Sequence, residues 1–237
     1  RSAGSGASAE GGTKEMERII CLLIGYAFGL IQTSYIYGRA CGIDIRTKGS
    51  GNAGTTNALR TLGRKAGLVT VLVDSMKCVA AVALVRLIFG NSHHEIIRLL
   101  CIYTSAGVIL GHDFPFYLGF RGGKGIAATA GMIIAFLDWR LIVAGIICFF
   151  GCFLATHYVS LGSLALSAEF LVGVILLGQL GTFQEMPGAA RCEMYLIVAL
   201  LTVMAFWQHR GNIGRLIRGN ERKTYLSKKN KTSEGVR

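Results

Sequence analysis

Long stretches of this 237-residue sequence are apolar and nearly free of charged residues, and this feature restricts the possible folds more than any other. The four clearest stretches cover residues 19–37, 68–89, 96–109 and 141–155. A helix that crosses the hydrocarbon core of a bilayer needs about 20 mainly apolar residues. Only 16% of the residues are charged, whereas a soluble domain has about a quarter. The sequence therefore predicts an all-α, polytopic membrane protein.

A bundle of about seven transmembrane helices is expected, in a single domain over residues 16–223. The predicted helices cover residues 17–37, 67–89, 95–110, 125–137, 139–156, 163–180 and 192–207. The fourth of these helices is short for a full span. Residues 1–15 are rich in glycine, serine and alanine, and we interpret them as a disordered leader or a segment of artificial origin. Residues 224–237 are interpreted as a basic cytoplasmic tail.

The distribution of Lys and Arg residues predicts the orientation of the bundle. If the N-terminus lies outside, the inner loops and the C-terminal tail hold 17 of the 25 basic residues, and the outer segments hold 7. Basic residues are enriched on the cytoplasmic side of membrane proteins, so the N-terminus is expected outside and the C-terminus in the cytoplasm. The net charge of +12 then reflects topology and contact with anionic membrane lipid. No nucleic-acid partner is expected.

The seven cysteines include no Cys-x-x-Cys pair, and we interpret them as small buried apolar residues. The sequence predicts neither a metal site nor a disulfide framework, and no cofactor. The 32 glycines have two expected uses. Some should lie at helix contacts, where small residues let two backbones approach closely. Others lie in polar loops between the apolar segments, and these loops contain the candidate site residues.

The first of these polar segments covers residues 49–60 and reads Gly-Ser-Gly-Asn-Ala-Gly-Thr-Thr-Asn-Ala-Leu-Arg. Its glycines permit tight turns, and successive backbone N–H groups in such a loop form a concave anion site. A short helix that starts near Thr55 would direct its positive end at the same place. Hydroxyl and amide side chains add hydrogen-bond donors, and Arg60 adds a fixed cation. The alternative is a solvated loop whose polar residues only cap helices.

The second polar segment covers residues 111–125 and ends in Gly-Gly-Lys-Gly before an apolar helix. The Walker pattern of nucleotide-binding proteins is absent, so nucleotide hydrolysis is not expected. The segment can still bind an oxyanion, because its mobile backbone can surround the anion and the ammonium group of Lys124 can pair with it. Alternatively, Arg121 and Lys124 only anchor the loop at lipid headgroups. His112 is a possible catalytic residue, but a histidine that closes a loop by hydrogen bonding is more common.

Two further polar segments follow apolar helices. In residues 156–163, two serines flank a glycine, a weak pattern that helix capping explains equally well. In residues 209–223, His209 and Asn212 are three residues apart and share one helix face. The arginines that follow them are expected to contact anionic lipid.

Asp74 and Lys77 lie inside the second predicted helix, three residues apart. Charged residues inside a membrane are costly and are usually paired or functional. We expect this pair to be structural.

Together, the four polar segments resemble the PlsY family of bacterial membrane glycerol-3-phosphate acyltransferases, which use acyl phosphate as the donor. The matching stretches, in the order and spacing of the family, are residues 50–60, 111–127, 158–163 and 209–223. The resemblance implies a seven-helix bundle in the bacterial inner membrane, with its site at the cytoplasmic face. It also implies acyl transfer to the sn-1 hydroxyl of glycerol 3-phosphate, the first acylation of phospholipid synthesis. The products would be lysophosphatidic acid and phosphate, and a separate enzyme would supply the acyl phosphate.

The resemblance also implies roles for individual residues. The expected catalytic residues are Ser50, Arg60, Lys124 and His209. The expected substrate-binding residues are Gly51, Asn52, Gly54, Thr55, Thr56, Asn57, Gly122, Gly123, Gly125, Ser160, Ser163 and Asn212. Residues 50–57 would bind the phosphate of the donor, and His209 is the best candidate in the protein for a general base. The phosphate of the substrate is the rival candidate for that base.

Two other functional classes fit a chain of this kind. One is a membrane transporter for phosphorylated solutes, since polar breaks beside helices are common in transporters. The other is a lipid-binding scaffold without activity. The position of the polar residues distinguishes a transporter from an acyltransferase. A transporter should hold its polar residues near the middle of the membrane, with access from both sides.

Overall fold

The computed structural model describes residues 5–225, and over this range the protein is built from α-helices and contains no β-strand. Two short 3₁₀ turns, Ile45–Thr47 and Phe116–Leu118, lie between the helices. The ten α-helices are α1 (Ser5–Gly29), α2 (Thr33–Ala40), α3 (Thr55–Leu62), α4 (Arg64–Phe89), α5 (Ile97–Asp113), α6 (Ile126–Phe136), α7 (Trp139–Thr156), α8 (Val159–Gln179), α9 (Gly188–Gln208) and α10 (Arg210–Ile217).

Six segments of the described chain are long and apolar enough to cross a membrane, and α6 is a shorter apolar helix. This result confirms the predicted all-helical membrane bundle, including its short fourth member. Large apolar side chains on the outside of the bundle, such as Leu23, Leu72, Ile147 and Leu200, are more than half exposed. A soluble protein would rarely expose so many of them together, whereas lipid tails cover such a surface in a membrane.

Helix α5 lies at the centre of the bundle, and nearly all its residues from Leu99 to Asp113 are buried. It packs against α1 through glycines on both helices. A methyl group added at Gly25 would overlap the carbonyl oxygen of Thr104, and one added at Gly107 would overlap that of Leu22. Gly29 and Gly111 meet one turn further along. The predicted use of small residues at helix contacts is therefore confirmed at this crossing.

The first predicted span, residues 17–37, is interrupted in the structure. Helix α1 ends at Gly29, and α2 begins at Thr33. Gln32 in the break is fully buried, and its amide nitrogen donates to the carbonyl oxygen of His112 at 2.9 Å. The ammonium of Lys77 donates to the carbonyl oxygen of Ile31 at 2.7 Å. Lys77 of α4 thus satisfies a carbonyl group that a continuous helix would have paired internally, and the side chain of Gln32 joins the break to the end of α5.

Lys77 also forms the predicted ion pair with Asp74, at 3.1 Å between Nζ and Oδ1. Both side chains are almost completely buried. The same Asp74 oxygen accepts a hydrogen bond from Thr33 at 2.8 Å, and Lys77 lies 2.9 Å from Nδ1 of His112. The pair therefore joins α4 to the helix break and to the end of α5.

Residues 1–4 of the predicted leader and residues 226–237 of the predicted tail lie outside the described residues. Helix α1 begins at Ser5, inside the segment interpreted as a disordered leader, and the division into leader, domain and tail stays a prediction. At the other end, Thr224 donates its backbone N–H to the carbonyl oxygen of His157. The chain after α10 thus packs back onto the start of α8.

The direction of each helix brings the four polar segments to the same end of the bundle. Helices α5, α7 and α9 end there, and α4, α6 and α8 begin there. The loop before α3 and the short helix α10 cover this end. The convergence places the candidate site residues around one cavity.

Candidate functional site

A cavity of about 870 Å³ opens at this end of the bundle, and all four polar segments contribute to its wall. Most of the predicted site residues line it. They are Ser50, Gly51, Asn52, Gly54, Thr55, Thr56, Asn57, Arg60, Lys124, Gly125, Ser160, Ser163, His209 and Asn212. Gly122 and Gly123 are the two predicted residues that do not line it. The cavity continues between α6 and α7 as an apolar groove.

Gly122 and Gly123 lie outside the cavity wall, and their N–H groups are already used within the chain. They donate to the carbonyl oxygens of Asp113 and His112, each at 3.0 Å. A methyl group at Gly122 would overlap the carbonyl oxygen of His112, and one at Gly123 would overlap the imidazole ring of His112. The two glycines therefore fold the loop tightly against the end of α5. This packing positions Lys124 and Gly125, which do face the cavity.

The first loop owes its shape to Asn57. Its side-chain oxygen accepts the backbone N–H of Ser50 at 2.9 Å, and its amide nitrogen donates to the carbonyl oxygens of Ile45 and Lys48. Both polar atoms of Asn57 are thus engaged within the chain, although the residue borders the cavity. Asn57 holds the loop in shape, and other donors are left for a ligand.

Those donors lie at the start of α3, which begins at Thr55 as predicted. Gly54 precedes the helix and supplies no side-chain cap. The first N–H groups of a helix have no partner within the helix, and its positive dipole end adds to their attraction for an anion. The hydroxyl of Thr55 is buried without a hydrogen-bond partner. This end of α3 therefore suits a phosphate group.

A hydrogen-bond network centred on Glu221 links the second and fourth polar segments. Lys124 donates to the side-chain oxygen of Asn212, whose amide nitrogen donates to Glu221 at 2.6 Å. Ser160 and Arg215 also donate to Glu221, at 3.0 and 2.7 Å. Burial opposes the ionisation of Glu221, but these three hydrogen bonds hold its pKa below the usual value. The carboxylate thus fixes the side chains that surround the cavity.

Glu221 and Arg215 were not predicted as site residues. Arg215 was expected to contact lipid, but it lines the cavity and pairs with Glu221. The sequence did contain one signal for Glu221, since it is the single acidic residue within the basic stretch 209–223.

Arg60 and Ser163 line the cavity, but each also has a partner in the chain. The guanidinium of Arg60 donates to the carbonyl oxygen of Arg222 at 3.0 Å and to the hydroxyl of Thr224. Arg60 therefore holds the segment after α10 against the cavity and keeps further donors free, since a guanidinium has five. The hydroxyl of Ser163 donates to the carbonyl oxygen of Val159.

His209 lies between α9 and α10, and its side chain is 4% exposed. Its Nδ1–H group donates a hydrogen bond to the carbonyl oxygen of Ala205, with 2.8 Å between the nitrogen and the oxygen. Burial, and next the charge of Lys124, lower the pKa of His209 to about 4. The imidazole is therefore neutral at physiological pH, and the lone pair on Nε2 is free to accept a proton.

Three further polar residues line the cavity: Asp74, His112 and Gln208. Asp74 and His112 belong to the buried cluster around Lys77, and Oδ2 of Asp74 has no hydrogen-bond partner. Gln208 donates to the carboxylate of Asp113 at 3.4 Å. The carbonyl oxygen of His112 accepts the N–H of Gly123 in the second loop, and its imidazole contacts Lys77. The tertiary fold, and not the local sequence, brings these residues to the cavity.

Comparisons with known proteins agree with this arrangement. A family model described as Glycerol-3-phosphate acyltransferase matches residues 19–219. A curated Glycerol-3-phosphate acyltransferase from Clostridioides difficile (strain 630) is 41% identical over 208 residues, which cover 86% of this chain and 94% of the relative.

Two crystal structures of PlsY (YgiH), an integral membrane glycerol 3-phosphate acyltransferase, have the same fold. The glycerol 3-phosphate form aligns with a TM-score of 0.73 at 26% sequence identity and covers 88% of this chain and 96% of that chain. The lysophosphatidic acid form aligns with a TM-score of 0.71, also at 26% identity, over 88% of this chain and 95% of that chain. With the matched family model and the membrane-spanning helices, these results identify the protein as an integral membrane acyltransferase that belongs to the glycerol-3-phosphate acyltransferase family.

Proposed function

We propose that the protein transfers the acyl group of an acyl phosphate to the sn-1 hydroxyl of glycerol 3-phosphate. The products are lysophosphatidic acid and inorganic phosphate, and the reaction is the first acylation of phospholipid synthesis. One observation carries the proposal: a single cavity joins a phosphate-binding helix end, a cationic network and an apolar groove. These are the three features that a reaction between an acyl phosphate and a phosphorylated alcohol requires.

The donor fits the side of the cavity formed by α3 and the apolar groove. The backbone N–H groups of Gly54, Thr55 and Thr56, at the start of α3, bind the phosphate of the acyl phosphate together with the hydroxyl of Thr55. The acyl chain then lies in the groove between α6 and α7, which continues from this position. An acyl phosphate is a mixed anhydride with a good leaving group, so the reaction needs no covalent enzyme intermediate.

The acceptor fits the side formed by Lys124, Arg60, Asn212 and His209. The ammonium and guanidinium groups bind the phosphate of glycerol 3-phosphate, and Ser160 lies at the junction with the donor. Lys124 keeps donors for this purpose, because Asn212 takes one of its three N–H groups. Glycerol 3-phosphate is thereby held with its hydroxyl next to His209.

In the reaction, the sn-1 oxygen attacks the acyl carbonyl carbon, and the bond between that carbon and the phosphate oxygen breaks. The hydroxyl proton passes to Nε2 of His209 and then to the departing phosphate, or directly to that phosphate. Orientation of the two substrates and stabilisation of the developing oxyanion supply the main catalytic effect.

The proposed location is the bacterial cytoplasmic membrane, with the N-terminus outside and the cavity open to the cytoplasm. The enrichment of Lys and Arg at the cavity end of the bundle supports this orientation. Glycerol 3-phosphate then enters from the cytoplasm, and a separate enzyme that makes acyl phosphate supplies the donor. Transport of phosphorylated solutes finds no comparable support, because the polar residues of the cavity gather at one end of the bundle.

Purified protein should convert an acyl phosphate and labelled glycerol 3-phosphate into labelled lysophosphatidic acid. Parallel reactions with acyl-CoA and with acyl carrier protein thioesters test the choice of donor, and we expect product only with acyl phosphate. Efficient acyl transfer from either thioester would contradict the proposed donor. Absence of product with every donor, from protein that is folded and monodisperse, would overturn the proposed reaction.

The binding of glycerol 3-phosphate should weaken as the pH rises through about 8. Burial, and next the charge of Arg215, lower the pKa of Lys124 to about 8. The ammonium is charged below this pH and neutral above it, so the KM for glycerol 3-phosphate should increase on the alkaline side. KM measured on both sides of pH 8 tests this expectation. In Lys124→Arg the cation persists to higher pH, and the alkaline increase should disappear. An unchanged increase in that variant would contradict the assignment to Lys124.

A further inference from the structure

The apolar groove has a defined depth. Its wall on α7 extends from Phe150, near the polar part of the cavity, to Ile142, and its wall on α6 extends from Ile126 to Ile134. At 1.5 Å per residue, each wall is about 12 Å long. The hydrocarbon core of one leaflet is about 15 Å deep. The groove therefore reaches most of the way to the middle of the bilayer.

The groove is open to lipid along one side and closed at its floor. Ile134, Ile146 and Phe150 line it and are 43%, 53% and 46% exposed, so an acyl chain can enter sideways from the membrane. Ile133 and Leu166 also line it but are 3% and 6% exposed. These two buried side chains form the floor where α6, α7 and α8 meet.

Gly145 is the one residue without a side chain on the α7 wall, and it lies at this floor. A Cβ atom added there would lie 2.9 Å from Cδ1 of Leu166 and 3.8 Å from Cδ1 of Ile133. The other residues that α7 contributes to the groove are large: Ile142, Ile146, Phe149 and Phe150. Gly145 thus lets the side chain of Leu166 lie against the α7 backbone, and a side chain at position 145 must displace the end of Leu166.

A carboxyl group lies beside Gly145. The added Cβ at Gly145 would be 3.3 Å from Oε2 of Glu169, and that oxygen is buried without a hydrogen-bond partner. Glu169 lies near the middle of α8, where a polar group is unfavourable for an apolar chain end. Glu169 thus makes the floor at Gly145 less favourable for an apolar chain, and beyond Gly145 the groove continues for about one helical turn, to Ile142.

We infer that Gly145 determines how deep an acyl chain can enter, and with it the acyl-chain length that the enzyme prefers. This inference rests on the proposed acyl transfer. A side chain at position 145 narrows the groove before its far end, and the end of a long chain is forced out of the groove. Removal of the Leu166 side chain deepens the floor and has the opposite effect. Discrimination by one methylene in an apolar pocket amounts to about 10-fold or more.

The test compares kcat/KM for a series of saturated acyl phosphates of increasing length. In Gly145→Ala, the ratio of kcat/KM for long chains to that for short chains should fall by about 10-fold relative to the unaltered protein. In Leu166→Ala, the same ratio should rise. Gly151→Ala is the matched control on α7, because a Cβ at Gly151 meets no atom within 4 Å. Its chain-length profile should not change.

The outcomes separate this inference from the proposed reaction. If Gly145→Ala and Leu166→Ala are active and both keep the original chain-length profile, Gly145 does not set the chain length, while the reaction itself stands. If Gly145→Ala fails to fold, the direction of change in Leu166→Ala decides, and a shift towards shorter chains overturns the inference. If the unaltered protein transfers no acyl group of any length, the proposed reaction fails.

Discussion

Replacement of Lys124 with alanine is expected to lower kcat/KM for glycerol 3-phosphate by about 10²- to 10³-fold, mainly through a higher KM. Lys124 is half-buried at the cavity wall and is held by Asn212, which in turn is held by Glu221. The ammonium is therefore positioned before the substrate arrives, and a phosphate group gains a charge-assisted hydrogen bond without reorganisation. Steady-state kinetics with glycerol 3-phosphate as the varied substrate measure the effect.

Arg121 provides the control for this variant. It lies in the same loop, three residues away, but it is exposed and does not line the cavity. Arg121→Ala removes the same charge and should change kcat/KM only slightly, because exposed charges are screened by salt. An equal loss in both variants would indicate that the overall charge of the loop matters and not a contact from Lys124. Unchanged kinetics in Lys124→Ala would rule out the proposed role.

The helical architecture could be predicted because each membrane-spanning helix needs a long apolar segment, which is visible in the local sequence. Helix α7 occupies residues 139–156, as predicted, since an apolar run there is bounded by a capping residue and a polar turn. The side chain of Asp138 accepts the backbone N–H of Arg140 at the start, and His157 ends the helix in a left-handed conformation. Both signals lie in the sequence next to the helix that they bound.

The break after α1 could not be predicted, because its causes are distant in sequence. The apolar run continues through residues 30–31, and the uncharged polar residues 32–34 that follow do not by themselves end a helix. Two side chains hold the break in place: Gln32 donates to the end of α5, and Lys77 donates to carbonyl oxygens at the break. A local pattern cannot show these partners, since they lie in helices that come later in the chain.

The site residues also divide into those that the sequence predicted and those whose role depends on distant contacts. Composition and the family resemblance indicated which loops surround the cavity, and 14 of the 16 predicted residues line it. Within the loops, however, the sequence could not separate groups that face a ligand from groups that hold the loop. Asn57, Gly122 and Gly123 serve the loops themselves, and this role depends on which backbone atoms fold back to meet them. Glu221 was missed because its importance comes from the three side chains that donate to it and not from its local sequence.

Replacement of His209 with alanine is expected to lower kcat by about 10²- to 10⁴-fold with a much smaller change in KM. The hydrogen bond from Nδ1 to Ala205 fixes both the tautomer and the direction of the ring, so Nε2 presents its lone pair. A contact to the reacting hydroxyl matters most as its proton leaves, and its loss should therefore appear in kcat. His209→Gln keeps an acceptor atom but cannot act as a base, and it should recover little of the activity. Near-normal kcat in His209→Ala would exclude His209 as the base.

The pH dependence of the unaltered protein distinguishes His209 from the substrate phosphate as the base. The pKa of His209 is lowered to about 4, so its base form is retained on the acid side until the pH falls to about 4. In the free enzyme, kcat/KM should therefore decline only below that pH if His209 accepts the proton. Two bound phosphates bring negative charge close to the ring and favour its protonated form, which raises the pKa of His209 in the complex. The decline of kcat should then lie at higher pH than the decline of kcat/KM.

This difference between the two profiles is the decisive measurement, because a base with a pKa of about 4 would be weak without the substrates. If His209 is the base, both acid limbs should disappear in His209→Gln, together with most of the rate. If the departing phosphate takes the proton directly, the acid limb should remain in His209→Gln at an unchanged pH. In that case His209 only orients the hydroxyl, and the loss in His209→Ala measures orientation alone. Both outcomes use the lone pair of Nε2, since the ring nitrogen that faces away from Ala205 has no proton, and the pH profiles separate them.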